Sequence, residues 1–319
     1  MNPRKVLVTG GAGFIGGHVA DAYIARGERV WVVDDLSSGR RENVPADAEF
    51  VLADIGSSDV VDLFRDVGGF DVVNHHAAQM DVRRSVVDPR LDARINIDGL
   101  LNLLECARAN GTRRFLFVSS GGVVYGEPEQ RPTPETAAKA PLSPYGVTKL
   151  AAEYYLLYYA RIHGLQAVAL RYSNVYGPRQ DPHGEAGVVA IFSSRLHADE
   201  PLTIYGDGEQ TRDYVFVGDV VRANMLFTDS ILADPVGIDA RAYNIGTGVE
   251  TSVNQLADAL DAASGRSGPR THEAERPGEL RHSCLDVGRA RRAGWTPVTP
   301  LRDGLAETYR HIAAQEAVR

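Results

Sequence analysis

The 319-residue chain is short of several features that mark whole functional classes. It has two cysteines, Cys106 and Cys284. Their separation fits neither a zinc spacing nor a disulfide framework, so both read as small residues of a reducing compartment. His75 and His76 have no third ligand at metal spacing, so no metal centre is expected. No apolar run approaches the roughly 20 residues of a membrane-spanning helix. The N-terminus enters a strand directly, with no signal peptide in view. A cytoplasmic protein without a membrane partner is expected. Positive charge is in deficit, with 34 Lys and Arg against 42 Asp and Glu. The resulting net charge of −8 argues against a general nucleic-acid surface and leaves phosphate recognition to local loops and a few arginines. Internal repeats and low-complexity segments are missing too.

Glycine, by contrast, is concentrated where it can do chemistry. The run Val6-Leu7-Val8-Thr9-Gly10-Gly11-Ala12-Gly13-Phe14-Ile15-Gly16 reads as strand, tight loop and helix start, with the helix reaching to about Arg26. Gly11-x-Gly13-x-x-Gly16 fits the dinucleotide fingerprint, and Gly10, Gly13 and Gly16 stand three apart. Such glycines allow a tight turn, close approach of backbone to a pyrophosphate, and close packing of helix on strand. The helix N-terminus adds unpaired N–H groups and a positive dipole end. A second apolar run, Val30 to Val33, ends on Asp34, near the offset of the acid that hydrogen-bonds an adenosine ribose. A glycine-rich connection with no ligand is the alternative, and both context and acid speak against it. Asp35-Leu36-Ser37-Ser38-Gly39 follows as a polar turn where a cofactor's adenosine end would lie.

Further along, Glu49 to Ile55 reads as a third strand ending on Asp54. That acid suits either an adenine amino group or a strand-end turn. Asp71 to Ala78 is a fourth strand, running into small side chains that a cofactor can lie across. Pro89 to Asn110 has the pattern of one long helix. Arg114 to Ser120 is a fifth strand. Ser143-Pro144 reads as an N-cap followed by proline at the first helical position, opening a helix to about His163. Gln166 to Tyr172 is a sixth strand. This alternation predicts an α/β fold with a parallel, doubly wound sheet. Past Asn174, Pro178, Pro182, Gly184 and Gly187 break the pattern. A smaller mixed domain is expected over 174–319, after a nucleotide-binding domain over 1–173. Segments near 214–228 and 243–248 are expected to return to the first domain.

Tyr145-Gly146-Val147-Thr148-Lys149 places a phenol and an ammonium four apart on a helix, on one face. Lowering a tyrosine from about 10 to about 7 takes roughly 4 kcal/mol of preference for the phenolate. A nearby lysine and an oxidised, cationic cofactor ring can supply much of it in a partly dry site. Tyr145 is thereby a candidate general base. A surface pair is the alternative, and the position one helix after the fifth strand argues against it.

With these residues in place, the chain resembles the extended short-chain dehydrogenase/reductases over nearly its full length. Within them it is most similar to the UDP-glucose (UDP-galactose) 4-epimerases. The resemblance is carried by Thr9 to Gly16, Asp35 to Gly39, Ser119 to Gly126, Tyr145 with Lys149, Arg171 to Pro178, Gly206 to Tyr214 and Arg276 to Glu279. It implies a Rossmann sheet, NAD as cofactor, a UDP-sugar substrate and a homodimer. Gly10, Gly13, Phe14, Ile15 and Gly16 would cradle the pyrophosphate. Asp34, Asp35, Ser38 and Gly39 would hold the adenosine ribose end, and Asp54 and Ile55 would flank the adenine. Ala77, Ala78, Gln79, Asn96, Ser119, Tyr145, Lys149 and Tyr172 would line the rest of the cofactor. Asn174, Gly187, Val188, Val189, Arg212 and Arg276 would hold the sugar nucleotide's diphosphate, Glu279 its ribose, with Ile204, Tyr205, Gly121 and Ser283 beside them. Arginines suit the task, since their planar forks match phosphate oxygens.

One departure stands out. Family members place Ser or Thr four residues before the tyrosine of Val-Tyr-Gly, and here that position is Gly121. Ser120, a water, or Tyr145 alone must take the hydroxyl's part. The resemblance implies C4 epimerisation of a UDP-hexose through a 4-keto intermediate, with Tyr145 and Lys149 catalytic and Ser120 assisting. Other sugar-nucleotide enzymes of the fold are the alternatives: an epimerase of UDP-glucuronate or of a UDP-N-acetylhexosamine, a dehydratase or a decarboxylase. Gly122-Val123 stands where dehydratases carry Asp-Glu, and Val123 where decarboxylases carry Glu. A silent, NAD-sensing regulator is a further alternative, disfavoured by the intact Tyr145 and Lys149. Two more expectations follow. The aromatic run Tyr154 to Tyr159 leaves the helix apolar around most of its girth, which calls for a partner's cover. Ser283, in place of a bulky residue, would leave room for an N-acetyl group.

Overall fold

Val6, Leu7 and Val8 are fully buried, as a strand covered on both faces requires. The computed structural model describes residues 3–182, 187–275 and 280–317. Its central sheet is built from β1 (Lys5–Thr9), β2 (Arg29–Asp34), β3 (Glu49–Leu52), β4 (Val72–His75), β5 (Arg114–Ser120), β6 (Gln166–Tyr172) and a seventh strand, Ala242–Ile245. The order across the sheet is β3-β2-β1-β4-β5-β6 and then the seventh strand. Val6 pairs in parallel with Val30 on one side and Val72 on the other. The strand order therefore reverses beside β1, the place where doubly wound sheets open a crevice at their C-terminal ends. The expected parallel doubly wound sheet is present. One face is packed by Leu100, Leu103, Leu104, Phe115, Phe117, Leu156 and Tyr159.

Two strands end sooner than the sequence pattern suggests. β3 stops at Leu52 because Asp54 turns the chain, its Oδ1 accepting from Gly56 N at 2.8 Å. β4 stops at His75; His76 N still donates to Thr9 O, and the chain then leaves the sheet. The expected long helix from Pro89 is three segments: Pro89–Ala93, a π turn at Arg94–Asp98, and Gly99–Ala109. The helix Pro144–His163 is as the sequence indicates. Ser143 Oγ accepts from Gly146 N at its start, and Gly164 closes it with φ of 72°.

The chain divides into two units. The first holds 1–125, 138–171 and 221–243. The second holds 126–137, 172–220 and 244–319. The segment 126–137 thus groups with the second unit, and 221–243 groups with the first. In the second unit, strand Asn174–Tyr176 pairs in parallel with Tyr214–Phe216, Thr211–Arg212 antiparallel with Thr251–Ser252, and Leu202–Tyr205 in parallel with Arg270–Glu273. Helix Leu301–Glu316 packs on helices Val188–His197 and Val253–Ser264. Among the described residues no helix is long and apolar enough to cross a membrane, and no cluster of His, Cys, Asp and Glu could hold a metal ion.

Candidate active site

The glycine loop is fitted to its surroundings with almost no slack. Gly10 has φ of 70°, and a Cβ there would come within 2.5 Å of Ala77 N. A Cβ on Gly16 would overlap the Gly10 carbonyl. Any side chain at either position would push apart the loop, β4's exit and the first turn of helix Phe14–Ala25. Gly13 is that helix's N-cap, without a side chain of its own to satisfy the first-turn N–H groups. Phe14 and Ile15, half-buried, begin the helix. The donors of this first turn are free for an anion such as a pyrophosphate.

Asp34, at the end of β2, is buried. Its Oδ2 accepts from Ala12 N at 3.0 Å and its Oδ1 from Leu36 N at 2.9 Å. Burial pushes its carboxyl up, and these donors pull it back. Gly39 packs against Ala12 and Asp34. Asp35 and Ser38 are exposed, with the Asp35 carboxylate accepting from Ser37. Asp54 is exposed and uses one oxygen in its turn. The side chain of Ile55 is in the core against Gly99, which leaves its backbone toward the strand end. This cradle fits a dinucleotide. It offers an unoccluded helix N-terminus, a backbone that no Cβ crowds, and an acid at the adjoining strand end.

Past β4, Ala77 and Ala78 are partly exposed while Gln79 is buried. Gln79 and Asn96 hold one another. Asn96 Oδ1 accepts from Gln79 N, and Asn96 Nδ2 donates to Gln79 O, both at 2.9 Å. Gln79 Nε2 and Asn96 Nδ2 both donate to Asp92 Oδ1, at 2.9 and 3.0 Å. Thr148 Oγ1 donates to Asp92 Oδ2 at 2.7 Å. Their part is to hold the strip Ala77–Gln79 and the helix of Tyr145 in fixed relation. Asp92 and Thr148 were missed in the sequence; an i, i+4 Asp/Asn pair inside a helical pattern was the signal available.

Tyr145 and Lys149 face one another from one side of their helix, with Lys149 Nζ 5.6 Å from the Tyr145 ring centroid. Lys149 is 4% exposed. Its Nζ donates to Val118 O at 3.0 Å and lies 4.8 Å from the Phe117 ring. Burial brings the ammonium down to about 8, while Asp92 and Glu153 favour its charge. Ser120 closes β5, and among the described residues nothing hydrogen-bonds its hydroxyl. Gly121 opens the short helix Gly121–Val124 directly after it. Ser119 is buried and its hydroxyl donates to Glu153 Oε1 at 2.5 Å. Glu153 in turn pairs with the buried Arg171, at 2.5 Å. Arg171 also meets Asp239, and Lys139 pairs with Asp239. Tyr172 is buried at the end of β6.

In the second unit, Asp213 gathers several expected substrate residues. Its carboxylate accepts from Thr247 N and Oγ1, Gly248 N and Leu285 N, while burial raises its carboxyl. Asn174 N donates to Asp213 O, and Asn174 is exposed. Arg212 lies beside Asp213, its guanidinium donating to Thr211 O at 2.8 Å. Ser283 N donates to the same Thr211 carbonyl. Asn174, Arg212 and Ser283 are therefore neighbours. Gly187 and Val188 head the helix Val188–His197. The side chains of Val189 and Ile204, at 1% and 0% exposure, belong to the core. Tyr205 is half-buried at its strand's end. Arg276 and Glu279 lie outside the described residues.

The NAD dependent epimerase/dehydratase family matches residues 6–246. The UDP-glucose 4-epimerase of Mycolicibacterium smegmatis is 46% identical over 310 residues, 95% of this chain and 97% of that one. The structure of UDP-glucose 4-epimerase from Thermotoga maritima with UDP-glucose is 44% identical, with a TM-score of 0.93 over 99% of this chain and 100% of that one. That of the Thermus thermophilus UDP-glucose 4-epimerase in complex with NAD is 42% identical, with a TM-score of 0.89 over 97% and 98%. Matched from the first strand of its sheet through the seventh, and at 46% identity to a relative along nearly the whole chain, this protein belongs to the NAD-dependent epimerase/dehydratase family.

Proposed function

We propose that the protein interconverts UDP-glucose and UDP-galactose by epimerisation at C4, using NAD. The observation that carries the reading is the Tyr145–Lys149 pair, a phenol with a buried ammonium 5.6 Å from its ring, in a chain this similar to UDP-glucose 4-epimerases. NAD, when bound, accepts the C4 hydride and gives it back. Gly10, Gly13 and the first turn of helix Phe14–Ala25 would hold its pyrophosphate, with Asp34 at the ribose. Tyr145 takes the proton of the sugar's 4-hydroxyl as the C–H bond breaks, and Lys149 lowers the cost of the phenolate. Ser120 stands at the end of β5 to hydrogen-bond the same oxygen. Inversion requires the 4-keto sugar to present its other face before the proton returns from Tyr145. The substrate must therefore be anchored at its diphosphate, where Arg212 and Asn174 serve, and held loosely at the hexose. Purified protein incubated with UDP-galactose should yield UDP-glucose by anion-exchange chromatography; no interconversion in either direction would refute the reading.

One position favours a second substrate. Ser283, bonded to Thr211 beside Arg212, is small where a bulky side chain would bar a C2 substituent. UDP-N-acetylglucosamine is therefore a second proposed substrate.

The protein is also proposed to act as a homodimer. Val147, Tyr154, Tyr155, Tyr158 and Ile162 form an exposed apolar face on helix Pro144–His163. A contiguous patch of this kind on a soluble surface is the mark of an interface. Free, buried Cys106 and Cys284 suit a cytoplasmic location.

A further inference from the structure

Two buried carboxylates surround Lys149, and they differ in what compensates them. Glu153 is paired with Arg171, and Arg171, Asp239 and Lys139 complete a cluster of two acids and two bases. Its charge is cancelled locally. Asp92 is different. It is 0% exposed, yet Gln79, Asn96 and Thr148, all neutral, are the donors to its oxygens. A lone carboxylate in such a place is costly unless a charge of opposite sign is near. Lys149 is that charge. It is next in sequence to Thr148, and among the described residues its ammonium has a carbonyl and two ring faces but no carboxylate in direct contact. Thr148, whose hydroxyl donates to Asp92, is the residue before Lys149 on the helix.

We propose that Asp92 is the positioning residue of the Tyr145–Lys149 pair: held by Gln79 and Asn96, it fixes the rotational phase of the helix that carries the pair through its hydrogen bond from Thr148. Lys149 faces Tyr145 and Glu153 on its own helix, Asp92 on helix Pro89–Ala93, and His75 and His76 on and after β4. Both histidines are held neutral by burial and by Lys149 itself, so neither supplies an opposing charge. Of this set, Asp92 and Glu153 favour the ammonium, and Arg171 offsets Glu153.

The composition makes the test direct, because the chain has three lysines, Lys5, Lys139 and Lys149. Protein labelled with 13C at the lysine ε-carbon gives three resonances, assigned with Lys5→Arg and Lys139→Arg. Asp92→Asn keeps the side chain's shape. Its amide oxygen can accept from Gln79 and Asn96, while its nitrogen donates to Thr148 Oγ1, whose hydrogen then turns to Tyr145 O, 3.0 Å away. The expected result is a Lys149 midpoint below the native one, read without substrate. With UDP-galactose, kcat should fall about 10- to 100-fold with KM within about threefold, and the acid limb of its pH profile should move up. Thr148→Val, which keeps the charge, should lower kcat with the Lys149 midpoint unmoved, and Thr148→Ser should restore it. Should Asp92→Asn not fold, this threonine pair still decides the positioning claim. A native Lys149 midpoint and pH profile in Asp92→Asn, or native kcat in Thr148→Val, would overturn the inference. The kinetic arm rests on the epimerase reading, whereas the titration does not; a shifted midpoint in a protein inert toward UDP-hexoses would sink that reading and leave the Asp92–Lys149 coupling standing.

Discussion

At the scale of single residues, the proposed function asks chemistry of some groups and backbone positioning of others. Tyr145→Phe removes the one phenol beside Lys149 and should cost about 10²- to 10⁴-fold in kcat. Bound NAD, measured by release on denaturation, should stay stoichiometric. Loss of cofactor instead would give Tyr145 a binding role rather than a catalytic one. Ser120→Ala should lower turnover by about 10- to 100-fold, as loss of an active-site hydrogen bond does. Unchanged turnover would hand the missing hydroxyl's part to water or to Tyr145 alone. Gly16→Ala acts differently, because its methyl would meet the Gly10 carbonyl. Folded protein with cofactor content reduced at least tenfold (about 1.4 kcal/mol) is expected, and native affinity would contradict the tight fit of the loop. These roles were legible in the sequence because glycine spacing and a Tyr-x-x-x-Lys step leave local marks. Ser119 and Ser120 were not separable in the same way. Adjacent strand residues point to opposite faces, and which face meets Glu153 is a tertiary fact.

At the scale of elements, β4 carries a pH dependence. His75 is buried with Nδ1 2.7 Å from Thr9 Oγ1, and its pKa is held well below the ordinary value. His76, with a buried Nε2, is brought to about 3 by burial and by Lys149. Both are neutral in the folded chain, whereas the unfolded chain protonates them below about 6.5. The unfolded state therefore binds more protons as pH falls from 6.5 toward 3, and folding stability must drop over that window. The slope is at most about 1.4 kcal/mol per pH unit for each histidine. Urea melts at pH 7 and pH 5 should differ in this direction, and His76→Gln should flatten the difference. A second element-level tie is Glu153–Arg171, which joins the catalytic helix to β6. Removing one partner strands a buried charge, so Arg171→Met should cost about 3–5 kcal/mol in chemical denaturation, more than any exposed ion pair here. The charged pair was hidden in the sequence, since a Glu on one helix and an Arg on a later strand share no periodicity. The interruption of the helix after Pro89 was equally hidden, because its apolar positions suit an uninterrupted α-helix.

At the scale of the whole molecule, the proposed dimer and the proposed second substrate each rest on one surface. Tyr158, 50% exposed in the middle of the apolar helix face, is the position to charge. Light scattering should give twice the 34.6 kDa chain mass for the native protein and a single chain mass for Tyr158→Asp. A native monomer would remove the dimer from the reading. For the substrate wall, Ser283→Tyr should lower kcat/KM for UDP-N-acetylglucosamine at least tenfold relative to UDP-glucose; an unchanged ratio would place the wall elsewhere. Overall architecture was readable because strand–helix alternation is written locally along the first 172 residues. The division into units was not, since 126–137 carries no compositional mark of the company it keeps. Thr133 N donates to Cys284 O, and Glu135 accepts from Asn244 N, pairings about 110 to 150 residues long that only the folded chain makes visible.

The π turn at Arg94–Asp98 has a consequence for how this chain can change in length. Each residue of an α-helix advances the side chains by about 100° around the axis. The π turn takes up one extra residue locally, so the α-helical segments on either side keep the phase they would have without it. Downstream, Leu100, Leu103, Leu104 and Ala107 point into the core. Upstream, Asp92 points at Gln79 and Thr148. Deleting a single residue between 94 and 98 would regularise the helix and leave both of these faces where they are, so the loss would fall on Asn96 and its bonds to Gln79 and Asp92. A one-residue deletion that keeps an asparagine opposite Gln79 should therefore be tolerated, whereas one that removes it should yield a folded protein in which the helix of Tyr145 is less firmly held.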